Sequence, residues 1–166
     1  IASQRRGDPP SPTQGVTNEL LKIVAELRDR EGLLLVCATN FVRALDAAFL
    51  RHGRFDYVLP IGLPDDEARN AIWRRYIPAE VTESIDVPAL VAASAGLTPA
   101  DIEYAARRAS QDALARALRA GVRKLDDHPA ELSTADYTAA LGVTRATVSD
   151  EEQGAFLEDI ETLARL

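Results

Sequence analysis

Leu33-Leu34-Leu35-Val36-Cys37-Ala38 constrains the fold of this chain more than any other stretch. Six apolar residues in a row have strand length and no wet face, the pattern of a strand covered on both sides in a parallel sheet. Cys37 then reads as a small buried hydrophobe, and as the single cysteine it has no internal disulfide partner. The run ends at Thr39-Asn40, and open α/β sheets bind ligands outside the carboxyl ends of their strands. Asn40 offers a neutral donor and acceptor there, suited to orienting a water or meeting a terminal phosphate without acting as a nucleophile. An asparagine after a strand is also an ordinary turn former.

The next stretch of chain has the chemistry of a phosphate site. Leu45-Asp46, Phe49, Arg51 and Gly53-Arg54-Phe55-Asp56 place two arginines three residues apart around a glycine that lets the backbone turn. A guanidinium fork matches phosphate oxygens and neutralises charge that develops in phosphoryl transfer. The plainer alternative is two solvated arginines paired with Asp46 or Asp56.

Around this segment the pattern predicts a loop over Arg5–Gly15, where prolines and glycines break regular structure, and an amphipathic helix from Val16 to about Arg30 carrying Leu20, Leu21, Val24 and Leu27. A short helix is expected over Asp46–Leu50 and a short strand over Tyr57-Val58-Leu59. After Pro64 the signals turn helical. Asp65-Asp66-Glu67 supplies acids to a helix start and Pro78 ends that helix. Asp86 and Pro88 open a second, Thr98-Pro99-Ala100-Asp101 opens a long third to about Ala120, Ser133 or Thr134 caps a fourth, and Ser149-Asp150-Glu151-Glu152 opens a terminal one.

The ordered run from Ala38 to Asp56 resembles the second region of homology of AAA-type ATPases, whose usual form is Ala-Thr-Asn, a short loop, then Leu-Asp-x-Ala-hydrophobic-x-Arg-x-Gly-Arg-Phe-Asp. The resemblance implies that Asn40 is the sensor-1 asparagine. It makes Arg51 and Arg54 paired arginine fingers that act on nucleotide held by the neighbouring subunit, and it gives Asp46 and Asp56 the structural task of capping the helix and fixing the arginine loop. Phe41-Val42 stands where Arg-Pro is common, and His52 where proline is common. Ile1-Ala2-Ser3-Gln4-Arg5 is similar to the segment just after the Walker B acidic pair, and Leu132–Leu141 with Val148–Glu152 to the closing element of many AAA lids, a short capped segment before a terminal helix.

Gly96-Leu97-Thr98-Pro99-Ala100-Asp101 resembles the glycine-aromatic-Ser/Thr-Gly-Ala/Ser-Asp segment with which the AAA lid approaches adenine. Pro99 replaces the glycine and Leu97 the aromatic. The resemblance thus implies cofactor contacts from Gly96, Thr98 and Ala100, and from Tyr76, which either stacks on the base or is plain core. The implied fold is α/β: residues 1–63 are the last part of an incomplete parallel-sheet subdomain of the P-loop NTPase type, and residues 64–166 an all-α lid with a terminal helix.

Two absences bound the activity. The sequence has no Gly-x-x-x-x-Gly-Lys-Ser/Thr phosphate loop and no acidic pair ending an apolar strand, so neither the β- and γ-phosphate cradle nor the magnesium site is encoded in it. No residue is assigned to a metal. The chain opens in mid-phrase without an initiator methionine, and the expectation is a piece of a larger enzyme, inactive alone. That enzyme would be an ATPase using ATP or ADP with Mg2+, acting as a homo-oligomer, a hexameric ring, that remodels or unfolds a protein substrate. The alternative is a non-hydrolysing AAA-like scaffold module that only completes a partner's ATP site.

A formal net charge of −7, with ten acidic against four basic side chains after Gly121, argues against general nucleic-acid binding. No apolar run approaches the roughly 20 residues that span a bilayer, so no membrane role is evident and the expected location is cytoplasmic. No His-Glu-x-x-His is present, which speaks against a membrane-anchored AAA protease, although a longer chain could carry one beyond Leu166.

Overall fold

The computed structural model describes residues 12–28, 30–121 and 132–165. It divides into two compact units, Ile1–Ile61 with Gly154–Leu166, and Gly62–Gln153. Six α-helices lie among the described residues: α1 (Pro12–Arg28), α2 (Asp66–Tyr76), α3 (Val87–Ala93), α4 (Pro99–Arg119), α5 (Thr134–Val143) and α6 (Asp150–Leu163).

The second unit is built by local capping and closed by one core. Asp65 accepts from Ala68 N–H at the start of α2 (2.8 Å), and Asp86 from Ala89 N–H at the start of α3 (3.0 Å). Such caps satisfy amide donors that a helix start leaves without a partner, at about 1 kcal/mol each. Helix α4 buries Ile102, Ala105, Ala106, Ala109 and Ala113 on one stripe, and the small side chains let α2 and α5 pack close against it. Trp73 of α2 and Tyr137 of α5 meet edge to face with ring centroids 5.8 Å apart, both fully buried. Trp73 Nε1 donates to Ser94 Oγ (3.0 Å), and that hydroxyl donates to Leu90 O (2.7 Å), so the indole brings no unpaired donor into the core.

Arg69 closes the entrance to this unit. Only 8% exposed, its guanidinium donates to Pro64 O (2.6 Å), Val91 O (3.1 Å) and the Asp66 carboxylate (2.5 Å). One buried cation therefore ties the chain before α2 to the end of α3.

In the first unit Leu21 of α1 packs with Ala48 and Phe49, and Leu20 and Phe55 lie against them. The Phe49 and Phe55 rings are 6.2 Å apart. Helix α1 begins at Pro12, four residues before the expected start, because a proline is tolerated in a first helical turn, where the missing N–H has no partner in any case. The rest of the expected loop, Arg5–Ser11, lies outside the described residues.

Regular strands are absent among the described residues. Residues 33–39 carry no ladder, Leu34 is 88% exposed, and Cys37 is exposed rather than buried. A strand exists only through its neighbours, and the described residues place none beside this run. Tyr57-Val58-Leu59 keeps one bridge, Val58 to Arg165, through Val58 N–H to Arg165 O (3.0 Å) and Arg165 N–H to Val58 O (3.1 Å). Asp46–Leu50 forms successive i to i+3 turns instead of an α-helix, beginning with Phe49 N–H to Asp46 O (2.9 Å).

Candidate functional site

The arginine segment is folded by its own backbone and two acids. Asp46 is buried and its Oδ1 accepts from Ala48 N–H (2.9 Å), which starts the turn. Phe55 N–H returns to Phe49 O (3.3 Å), closing a loop over residues 49–55. Inside it Gly53 has φ +85°, a conformation that costs an L-residue about 1–2 kcal/mol, and its N–H donates to Asp56 Oδ1 (2.9 Å). Both acids thus hold the loop.

The two guanidiniums differ. Arg51 is exposed, whereas Arg54 is half-buried and donates through Nη1 to Ala48 O (2.6 Å), leaving the rest of its five-donor fork for other acceptors. Together with Lys22 they line an open concavity of about 570 Å3, shared with Asn18, Leu21 and Ala25 of α1 and with Ala48. Lys22 also pairs with Glu19 (3.2 Å) on the exposed face of α1. Three cations around a recess suit a phosphate or carboxylate.

Asn40 is exposed at a bend shaped by Phe41 N–H donating to Thr39 Oγ1 (3.1 Å), and it does not line that recess. Two residues on, the short 3-10 turn Val42–Ala44 carries Arg43. Its guanidinium reaches Asp159 and Glu158 and donates to Ala155 O (2.9 Å), all on α6. The hydrogen bonds it donates to Asp159, then to Glu158, push its already high pKa further up. Nothing local in the sequence marks Arg43, since its partners stand more than a hundred residues away.

In the second unit Gly96 takes φ +79°, and Leu97 after it is buried in the core. Thr98 caps α4 in a reciprocal box. Its Oγ1 accepts from Asp101 N–H (3.1 Å), while Thr98 N–H (3.0 Å) and its hydroxyl (2.8 Å) donate to Asp101 Oδ2. Pro99 is the first helical residue, so its missing N–H leaves this start intact, and Ala100 is exposed. Thr147 donates to the same carboxylate by N–H (3.2 Å) and by its hydroxyl. Burial opposes the charge on Asp101, but the bonds from Thr147 and Thr98 outweigh it and hold the carboxyl below the usual range.

Tyr76 packs half-buried against the core and donates to Glu103 Oε2 (2.8 Å), a bond that with partial burial raises its phenol pKa. Gly96, Thr98 and Ala100 share one turn. Arg51 and Arg54 share one recess.

Among the described residues no helix is long and apolar enough to cross a membrane. Residues 1–63 match the family model described as "ATPase family associated with various cellular activities (AAA)". Among curated proteins the chain is 31% identical over 137 residues to an ATP-dependent zinc metalloprotease FtsH of Staphylococcus haemolyticus, covering 82% of this chain and 18% of that protein. It is 33% identical over 120 residues to a cell division cycle protein 48 homolog of Archaeoglobus fulgidus, covering 70% of this chain and 16% of that protein. The chain therefore spans under a fifth of the length of these relatives. The crystal structure of the FIGL-1 AAA domain superposes with a TM-score of 0.76 at 22% identity, over 93% of this chain and 52% of that one. Motif, fold and relatives agree: over the part of their length that it spans, this chain belongs to the AAA family of ATPases.

Proposed function

We propose that this chain supplies the sensor asparagine, the trans-acting arginines and the helical lid of an AAA-type ATPase that couples ATP hydrolysis to the remodelling or unfolding of protein substrates. Residues 1–63 are then the last part of the α/β nucleotide-binding subdomain, with Leu33–Ala38 as one of its sheet strands, and residues 64–166 the lid and terminal helix. The observation that carries this reading is the loop closed over residues 49–55, where Gly53 and Asp56 set the backbone and Arg51 is left exposed at the rim of a cationic recess.

The residues present fit phosphate oxygens through the forks of Arg51 and Arg54. Bound ATP with Mg2+ supplies the phosphoryl group that is transferred to water. Asn40 orients that water through its side-chain amide, and the arginines stabilise charge on the γ-phosphate of a neighbour, an effect worth roughly 10³ to 10⁵ in rate. Tyr76, Gly96, Thr98 and Ala100 border the adenine. A site completed from a neighbour requires a homo-oligomer, which we assign as a hexameric ring working in the cytoplasm.

The test is Arg51→Ala and Arg54→Ala in the full-length protein. Turnover falls at least a hundredfold in each while nucleotide affinity stays within a few-fold. Turnover unchanged in both removes the assignment.

A further inference from the structure

We infer that Arg43 is a positioning residue that makes the arrangement of the Asn40–Arg54 segment depend on the seating of helix α6. The inference rests on the proposed ATPase reading for its catalytic consequence, though not for its structural one.

Arg43 lies in the turn between the two groups of proposed site residues, three positions after Asn40 and eight before Arg51. A 3-10 turn holds it there through Ala44 N–H to Phe41 O and Leu45 N–H to Val42 O (both 3.1 Å). Its acceptors Ala155, Glu158 and Asp159 are spaced i, i+3 and i+4, one face of α6. A single exposed ion pair holds little. Here one planar fork meets two carboxylates and a main-chain carbonyl at once, and although Arg43 is 54% exposed, the Asp159 side chain is only 20% exposed.

A second tether lies beyond the end of the same helix. Arg165 exchanges two backbone hydrogen bonds with Val58, just past Asp56. The segment from Asn40 to Val58 is therefore gripped near both ends by the closing stretch of the chain, once by side chains and once by backbone. With α6 released, the turn at residues 42–44 loses the contact that its Arg43 side chain makes with a helix distant in sequence. Asn40 and the arginine loop then lose a fixed support.

The experiment is hydrogen exchange on the full-length protein, with Arg43→Ala and the charge-exchanged set R43E/E158K/D159K. We expect exchange in peptides covering residues 41–56 and 155–165 to speed together by about fivefold in R43A, to stay unchanged in residues 66–113, and to return to the wild-type rate in the exchanged set. In turnover, R43A lowers kcat by about tenfold at unchanged KM for ATP, the split expected of a residue that places catalytic groups without touching nucleotide. Unchanged exchange at residues 41–56, an equal rise in every peptide, no recovery in the exchanged set, or wild-type kcat overturns the inference. If the wild-type full-length protein hydrolyses no ATP, the ATPase reading fails and the exchange pattern alone decides whether Arg43 positions this segment.

Discussion

Replacing Asp101 tests the account of the helical unit. Its carboxylate is 6% exposed and accepts four hydrogen bonds, two from Thr98 and two from Thr147. Three of these converge on Oδ2 and the fourth, from the Thr147 hydroxyl, is on Oδ1. Asn can therefore keep the three with its carbonyl and offer its amide to the Thr147 oxygen, losing charge but not connectivity. Bonds to a charged acceptor contribute about 1.5–3 kcal/mol against 0.5–1.5 for neutral ones, so Asp101→Asn should cost about 1–2 kcal/mol. Asp101→Ala loses the cap, about 1 kcal/mol, and the bonds that the exposed Thr147 makes to this charged acceptor, about 1.5–3 more, for a total near 3 kcal/mol.

Trp73 is the single tryptophan of the chain and lies in the core of this unit, so its fluorescence in urea follows this unit's unfolding. With a slope of about 1.5 kcal/mol/M, D101A should lower the midpoint by about 2 M and D101N by about 1 M. A D101A midpoint equal to that of the wild type would refute the reasoning. The pH dependence has a fixed sign. A carboxyl whose pKa is lowered by folding contributes stability that is fully present above its unfolded value, near 4, and is lost as pH falls through the folded value. The gap between wild type and D101N should hold from pH 7 to 5 and shrink below about pH 4.

Single residues elsewhere set further outcomes. Trp73→Ala removes the largest buried side chain and should destabilise the second unit by about 3–5 kcal/mol, measured by circular dichroism in urea. Arg69→Met fills similar volume but leaves the Pro64 carbonyl without its arginine donor and the Val91 carbonyl with only the Ser94 hydroxyl (3.2 Å), and should cost about 2–3 kcal/mol by Trp73 fluorescence. Gly53→Ala forces a side chain into a positive-φ position, and its Cβ would meet Arg28 Nη1 at 2.8 Å. That guanidinium can swing aside, so the strain of about 1–2 kcal/mol stays in the arginine loop. ATP turnover of the full-length protein should fall while the Trp73-reported midpoint holds.

What could be read in advance divides by range of interaction. Asp65, Asp86, the Thr98–Asp101 box and Ser149 with Glu152 cap helices through bonds three residues apart, and all four starts lie where their side chains announce them. Proline misled at α1, because residues 12–15 carry the signals of a loop while Pro12 stands at the one end of a helix that accepts it. Leu33–Ala38 carries an apolar signal that a sheet would satisfy, yet its pairing partners are set by other parts of a chain and not by its own side chains. Arg69 and Arg43 were invisible for a related reason. A buried arginine and a three-acceptor contact across more than a hundred residues leave no local trace. The order Asn40, Asp46, Arg51, Gly53, Arg54, Asp56 was legible as a motif, and the structure adds how unequal the two guanidiniums are.

The most direct measurement mixes two full-length variants, one carrying Arg51→Ala with Arg54→Ala and one disabled in its own phosphate loop. If the arginines of this chain serve a neighbour's triphosphate, each variant is inactive alone and mixed assemblies regain ATP hydrolysis at the junctions where an intact cradle meets intact arginines. A mixture as inactive as its components would contradict that account.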